Sequence, residues 1–304
     1  MEKQGIKTSN RELRASFKRM LISSALVFSA CTQSPTPQFE QPSSAVNPTS
    51  EAVTLLPTLT ISGNLSSKLD EETLIEIKDT YIEFVSDYAC PSSISIENVD
   101  LSARATYDEN KKKKEVVLGE GEPGKIRVDL TEIGRNRSVE GMREKLRFVL
   151  IHELLHSCKL DKNIRFSPEI KLSDKTSIYK AYGLRLGMKK SDGTLLDTYG
   201  LFEEAVADSL GHKFDARYVS YSYKYEYIGE LVNKAIKEGW VTPKQLAQMV
   251  YQYNLWDFVR VFSGVKDPKA KDLEELMKNF NIAWNEDPDM AWLQIKKIRD
   301  RNIK

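Results

Sequence analysis

Residues 149–157 read Val-Leu-Ile-His-Glu-Leu-Leu-His-Ser and place two of the three histidines of this 304-residue chain four positions apart. On an α-helix, residues at i and i+4 project from the same face about one turn apart. His152 and His156 can therefore bind one Zn²⁺ together, with Glu153 beside the coordination position that stays open. Glu153 is the predicted general base, which takes a proton from the zinc-bound water as it attacks a carbonyl group.

A third ligand is expected from residues 201–211, which read Leu-Phe-Glu-Glu-Ala-Val-Ala-Asp-Ser-Leu-Gly. This segment also favours a helix, on which Glu204 and Asp208 stand four positions apart. Glu204 is the predicted ligand, and Asp208 is predicted to accept a hydrogen bond from a ligand imidazole. His152, His156, Glu204 and a water molecule would complete a catalytic site for one zinc ion per chain.

The order His152-Glu-x-x-His156 followed by Glu204-x-x-Ala-Asp208-x-x-Gly resembles the gluzincin metallopeptidases. The resemblance covers two short segments and implies the zinc ligands His152, His156 and Glu204, the base Glu153, and Asp208 as the residue that orients a ligand histidine. It also implies a zincin-like α+β fold, with a cleft between an upper lobe that contains a small mixed sheet and a lower helical lobe. The separation of 48 positions between His156 and Glu204 is longer than in thermolysin-like enzymes and predicts an insertion between the two helices.

Other zinc-site patterns give different assignments. The metzincin pattern is excluded, because Lys159 and Lys162 stand where it needs glycine and histidine. Residues 193–200 resemble the aspzincin segment with its aspartate displaced by one position, so Asp197 is the alternative third ligand. Glu203 points about 100° away from Glu204 around the helix and is expected to be a solvated or helix N-terminal charge.

Two further sets of side chains are candidates for stabilising a transition state. His212 lies about 12 Å beyond Glu204 along a continuous helix, too far to share its metal. It would either stabilise an oxyanion at the edge of the cleft or hydrogen-bond Asp208. Tyrosine hydroxyls can also donate to a tetrahedral intermediate, and sequence alone does not choose among the members of this group, Tyr218, Tyr221, Tyr223, Tyr225 and Tyr227.

The N-terminal 60 residues predict export. Residues 1–30 have a basic start and an apolar stretch of about 11 residues, which is typical of a signal peptide and too short to remain as a membrane span. Phe28-Ser-Ala-Cys31 resembles the lipobox of bacterial lipoproteins, which predicts lipidation of Cys31. The alternative is a soluble secreted protein cleaved near Ala30. Residues 31–60 are rich in Pro, Ser and Thr and predict a disordered tether, so the protein is expected in the cell envelope, lipid-anchored on the periplasmic or extracellular face.

Residues 61–304 predict one zincin-like domain, with the upper α+β lobe at about 61–159 and a helical lower lobe at about 160–304. Ser138 is the predicted N-cap of the metal-binding helix. Residues 119–124 read as a turn, and residues 125–130 are the predicted edge strand that pairs with extended substrate. The other predicted strands are 93–99, 103–107 and 115–118, and the other predicted helices are 70–88, 224–238, 243–253, 271–281 and 289–302.

The net charge and the cysteines restrict the partners and the compartment of the protein. The 45 basic and 44 acidic residues give a net charge of +1, so no nucleic-acid partner is implied. Cys90 and Cys158 either pair in an oxidising compartment or stay as buried thiols. The sequence predicts an exported zinc metallopeptidase that acts on peptide or protein substrates and contacts the membrane through its lipid anchor. The alternatives are a non-catalytic zinc-binding envelope lipoprotein and a zinc hydrolase that acts on a non-peptide substrate.

Overall fold

The computed structural model describes residues 57–104, 106–108, 113–159, 164–196, 198–220, 223–285 and 287–303. The predicted signal peptide, Cys31 and most of the predicted tether lie outside these ranges, as does Asp197. Within them, a strand begins at Leu59, so the folded part starts slightly before the predicted boundary at residue 61.

The structure is mixed α and β. The strands of the described part are β1 (Leu59–Ile61), β2 (Ile94–Asn98), β3 (Thr106–Asp108), β4 (Lys113–Glu115), β5 (Gly119–Glu122), β6 (Lys125–Val128), β7 (Ile164–Lys171), β8 (Thr176–Tyr182) and β9 (Arg185–Lys190). The helices of the same part are α1 (Gly63–Ser66), α2 (Glu71–Tyr88), α3 (Leu130–Gly134), α4 (Val139–Ser157), α5 (Leu201–Phe214), α6 (Tyr223–Lys237), α7 (Pro243–Tyr251), α8 (Leu255–Ser263), α9 (Ala270–Asn285) and α10 (Pro288–Asn302).

A small mixed sheet precedes the predicted metal-binding helix α4. Its strand order is β1-β2-β6-β5, with β1, β2 and β6 parallel and β5 antiparallel to β6. The predicted edge strand at residues 125–130 is therefore wrong, because β6 is an inner strand and β5 forms the edge. The error arose from the glycine-rich segment at residues 119–124, which reads as a turn although its first four residues pair with β6.

Strand β5 packs directly on α4, and the two elements come so close that glycine is required at their contact. A Cβ atom at Gly121 would lie 2.6 Å from the carbonyl oxygen of Glu153 and 2.7 Å from the Cβ of His156. Real Cβ atoms essentially never approach other heavy atoms that closely. Gly121 therefore sets the distance between the edge strand and the part of α4 that carries the motif.

Local signals at both ends define α4. The predicted N-cap is confirmed, because Ser138 Oγ accepts a hydrogen bond from the backbone N–H of Gly141. The helix ends at Ser157, and the next residue, Cys158, forms a disulfide bond with Cys90. The pairing that the sequence left open is thus present, and it links the C-terminal end of α4 to the segment that follows α2.

The segment between α4 and α5 forms an antiparallel sheet of order β7-β8-β9. The expectation of an all-helical second half is therefore wrong. Pro168 interrupts β7 and Gly187 interrupts β9, so neither segment shows the unbroken β-branched pattern by which strands are recognised.

Helices α6, α7, α8 and α9 pack on α5. Phe202 of α5 is fully buried, with its ring 5.0 Å from that of Phe258 in α8 and 4.9 Å from that of Phe280 in α9. One continuous apolar cluster extends from Leu65 to Ile295 and includes residues of the mixed sheet, of the β7-β8-β9 sheet and of the C-terminal helices. Its packing holds α5 in a fixed position against α4. No helix of the described part combines the length and apolar character needed to cross a bilayer.

Candidate metal centre

Helices α4 and α5 bring together the three predicted ligands. His152 Nε2 lies 3.2 Å from Glu204 Oε2 and 3.2 Å from His156 Nε2, and His156 Nε2 lies 3.5 Å from Glu204 Oε2. All three residues are buried, and together they form a group able to hold a metal ion. The packing of α5 on α4 thus brings Glu204 next to two histidines that are distant from it in the sequence.

The triangle formed by these three atoms fits a zinc ion. Zinc–nitrogen and zinc–oxygen bonds of about 2.0–2.1 Å at tetrahedral angles separate two ligand atoms by about 3.3 Å. The observed separations of 3.2, 3.2 and 3.5 Å surround that value. Two imidazoles and one carboxylate are also a donor set that zinc takes in hydrolases, with one tetrahedral position left for water or substrate.

Glu153 lies between the two histidines on α4 and under the edge strand. Its side chain is nearly buried, and a Cβ atom at Gly119 of β5 would lie 3.2 Å from its Cγ. The residue predicted as the general base is therefore confined between the metal-binding helix and the mixed sheet. Confinement of this kind fixes the direction of a carboxylate and limits its contact with bulk water.

Glu203 is a charge in the first turn of α5, as one of its two expectations stated, but the other expectation, a solvated side chain, is wrong. Its side chain has no exposed surface, and its Oε1 lies 2.7 Å from His156 Nδ1 and accepts a hydrogen bond of 2.7 Å from Lys159 Nζ. A carboxylate on Nδ1 fixes the tautomer that leaves Nε2 free to bind a metal. Glu203 thus makes the kind of contact with His156 that was predicted between Asp208 and a ligand imidazole.

The turn between β8 and β9 contacts the second carboxylate oxygen of Glu203, Oε2. Gly183 has a φ of 61°, and a Cβ atom there would lie 2.5 Å from Glu203 Oε2. The next residue, Leu184, donates its backbone N–H to the same oxygen at 3.1 Å. The insertion between the two helices is therefore part of the metal centre.

Arg185, the first residue of β9, contacts both adjacent glutamates. Its Nε donates to Glu203 Oε1 at 3.0 Å, and its Nη2 donates to Glu204 Oε1 at 2.6 Å. Arg185 has no sequence signal, because it lies in a hairpin that the residue pattern does not predict. The sequence signal for Lys159 is its place directly after Cys158 at the end of the metal-binding helix.

The charges in the centre stabilise one another. Burial alone would raise the pKa of both glutamates, yet Lys159 and Arg185 lower the pKa of Glu203, and His156 and Arg185 lower that of Glu204. Burial lowers the pKa of Lys159. Burial also acts to lower the pKa of His156, but Glu204 and Glu203 raise it, so a metal must displace a proton from this ring at acid pH.

The predicted partner Asp208 is buried in a group that also contains His152, His212 and Ser220. The hydroxyl of Tyr218 lies 3.1 Å from His152 Nδ1, and a hydrogen bond from a ligand imidazole to Asp208 stays a prediction. The Oδ2 atom of Asp208 lies 3.8 Å from His212 Nε2, and burial raises the pKa of this carboxyl group.

His212 itself is partly exposed and lies beside residues that follow α5. Its Nε2 is 3.2 Å from Ser220 Oγ, and its ring meets that of Tyr218 edge to face at 5.0 Å. These contacts favour a structural role for His212 over the stabilisation of an oxyanion. Of the other tyrosines, Tyr225 has its ring 6.2 Å from that of His152. Asp197, the alternative third ligand, lies outside the described residues.

Comparison of this chain with protein-family models, with curated proteins and with solved structures gave no match.

Proposed function

We propose that this chain is an exported zinc-dependent peptidase of the zincin type. The observation that carries the proposal is the triangle of His152 Nε2, His156 Nε2 and Glu204 Oε2, whose sides match the ligand separations of tetrahedral zinc. The mixed sheet packed on the metal-binding helix and the mainly helical part after α5 also support a zincin-like arrangement with residues 61–159 above and 160–304 below the cleft.

In this proposal each residue has one task. A bound zinc ion would polarise the substrate carbonyl and make water more acidic. Glu153 accepts the proton that the attacking water gives up and passes it to the leaving amine. Glu203 keeps His156 in the tautomer that exposes Nε2, and Tyr218 contacts the corresponding nitrogen of His152.

The proposed location outside the cytoplasm has separate support. The basic and apolar segments of residues 1–30, Cys31 and the Pro-rich tether are features of an exported lipoprotein. The disulfide bond between Cys90 and Cys158 is of the kind that persists in oxidising compartments. We therefore propose a lipid-anchored envelope peptidase whose substrates are peptides or proteins and which binds no nucleic acid.

The test is Glu153→Gln, which keeps the size of the side chain but removes the base. We expect one zinc ion per chain in both proteins and a fall in kcat on a peptide library of about 10²–10⁴-fold, the usual contribution of a general base. The matched control is Glu144→Gln on the exposed face of the same helix, which is expected to leave kcat unchanged.

Two results would contradict the proposal in different ways. Unchanged hydrolysis in Glu153→Gln with zinc still bound would show that the base is assigned to the wrong residue. A wild-type protein that binds one zinc ion but cleaves no peptide would favour the alternative, a non-catalytic zinc-binding envelope lipoprotein or a hydrolase of another substrate class.

A further inference from the structure

The side chain of Arg185 connects the third ligand to the residue that orients the second. Its guanidinium donates through Nε to Glu203 and through Nη2 to Glu204, at 3.0 and 2.6 Å. These two glutamates are adjacent on α5, whereas Arg185 comes from β9, so the contact joins elements that are separate in the chain.

The two oxygens of Glu204 have different surroundings. Oε2 faces the Nε2 atoms of both histidines, whereas Oε1 is the acceptor for Arg185. A carboxylate can bind zinc through one oxygen or through both, and the second mode would add a fifth ligand atom to two imidazoles, one carboxylate oxygen and one water. A charge-assisted hydrogen bond to Oε1 opposes that second mode, because the same oxygen cannot turn toward the metal without losing it.

We propose that Arg185 is a positioning residue that restricts Glu204 to one metal-binding oxygen and so holds a bound zinc ion at four ligand atoms, one of them an exchangeable water. This inference rests on the proposed zinc site and deepens it. Arginine suits the task because its planar fork presents donors in fixed directions to two carboxylates at once, which the point charge of lysine does not.

Lys159 offers a comparison within the same cluster. It also donates to Glu203, at 2.7 Å, and it is almost fully buried, whereas 30% of the Arg185 side chain is exposed. Among the described residues, Lys159 Nζ hydrogen-bonds Glu203 but not Glu204. If Arg185 acted only by balancing the charge of the buried carboxylates, loss of either cation would have the same kind of effect on the metal.

The experiment replaces zinc by Co²⁺ in the purified full chain and compares wild type, Arg185→Met and Lys159→Met. Four-coordinate cobalt absorbs visible light much more strongly than five-coordinate cobalt. We expect the strong spectrum in wild type and in Lys159→Met, and a severalfold weaker, five-coordinate spectrum in Arg185→Met at full occupancy. The Lys159→Met protein is expected to bind cobalt more weakly, because Glu203 loses one of its cations.

Each outcome separates the inference from the proposed function. A four-coordinate spectrum in Arg185→Met, equal to that of wild type, would overturn the role of Arg185 and leave the metal site standing. Wild type that binds no cobalt would overturn both. If circular dichroism shows that Arg185→Met does not fold, Arg185→Gln takes its place with the same expectation, since its amide can still hydrogen-bond Glu203 but cannot hold both glutamates.

Discussion

Adjacent glutamates of one helix have different surroundings in this protein. Glu204 directs Oε2 toward the two imidazoles, and Glu203 directs Oε1 toward the far nitrogen of His156. They point to different sides of α5, and both sides are occupied, by α4 on one and by the turn between β8 and β9 on the other. The surroundings of each side chain, not its residue type, decide its role.

At this scale we predict that Glu203→Gln weakens zinc binding by about 10–100-fold, the usual effect of losing the group that orients a ligand histidine. The amide keeps the shape of the side chain but removes the charge that pairs with Lys159 and Arg185. Competition with a chromophoric chelator measures the affinity. The control Glu144→Gln on the exposed face of α4 is expected to leave the affinity unchanged, and an equal loss in both variants would contradict the role of Glu203.

The residues of the centre were predictable from sequence to different degrees. Helical spacing predicts the pair of His152 and His156, because i and i+4 share a face, and spacing together with the gluzincin resemblance predicts Glu204 as the third ligand. The same helical geometry predicts that Glu203 points away from the metal, but it does not show whether that side faces solvent. An unpredicted hairpin covers that side of the helix, and Arg185 has no sequence signal for the same reason.

At the scale of elements, periodic and capped segments were predictable and glycine-rich ones were not. Helix α2 begins and ends within one residue of the prediction, and α10 begins one residue early, because both carry apolar positions at helical spacing and an N-cap aspartate. Strand β5 was missed because two of its four residues are glycine. Those glycines are needed for contact with α4, so the feature that hides the strand also positions it.

We predict that Gly121→Ala forces β5 and α4 apart and lowers the free energy of unfolding by about 1–3 kcal/mol, as overpacking usually does. The added methyl group would meet the backbone of Glu153 and the Cβ of His156, so zinc affinity should fall as well. Chemical denaturation and chelator competition measure the two effects. The control is Gly63→Ala, where a Cβ atom meets nothing within 4 Å, and equal losses in both variants would contradict this account of the strand.

At the scale of the whole molecule, one apolar cluster and one disulfide bond connect the parts that surround the metal centre. The cluster contains residues of the mixed sheet, of the β7-β8-β9 sheet and of the C-terminal helices. The bond between Cys90 and Cys158 closes a loop with a sequence separation of 68, which includes most of the mixed sheet and α4. Both features limit how far α4 can move relative to the sheet.

We predict that the double variant Cys90→Ser/Cys158→Ser loses about 4 kcal/mol of unfolding free energy, since a cross-link over a loop of this length restricts the unfolded chain by that amount. Denaturant titration of the oxidised wild type and the variant gives the difference. Cys31→Ser removes the third cysteine of the chain and is expected to unfold as the wild type does. A loss well under 1 kcal/mol in the double variant would contradict the predicted cross-link effect.

The position of the disulfide bond between Cys90 and Cys158 affects how firmly the candidate metal centre is held before the bond forms. Cys158 follows the metal-binding helix directly and precedes Lys159, the cation that holds Glu203. A newly made chain among the reduced thiols of a cytosol lacks this restraint, so the second histidine and its supporting carboxylate are held less firmly there. If the chain is the exported hydrolase that we propose, oxidation after secretion would act as a maturation step and would protect the producing cell until the chain has left.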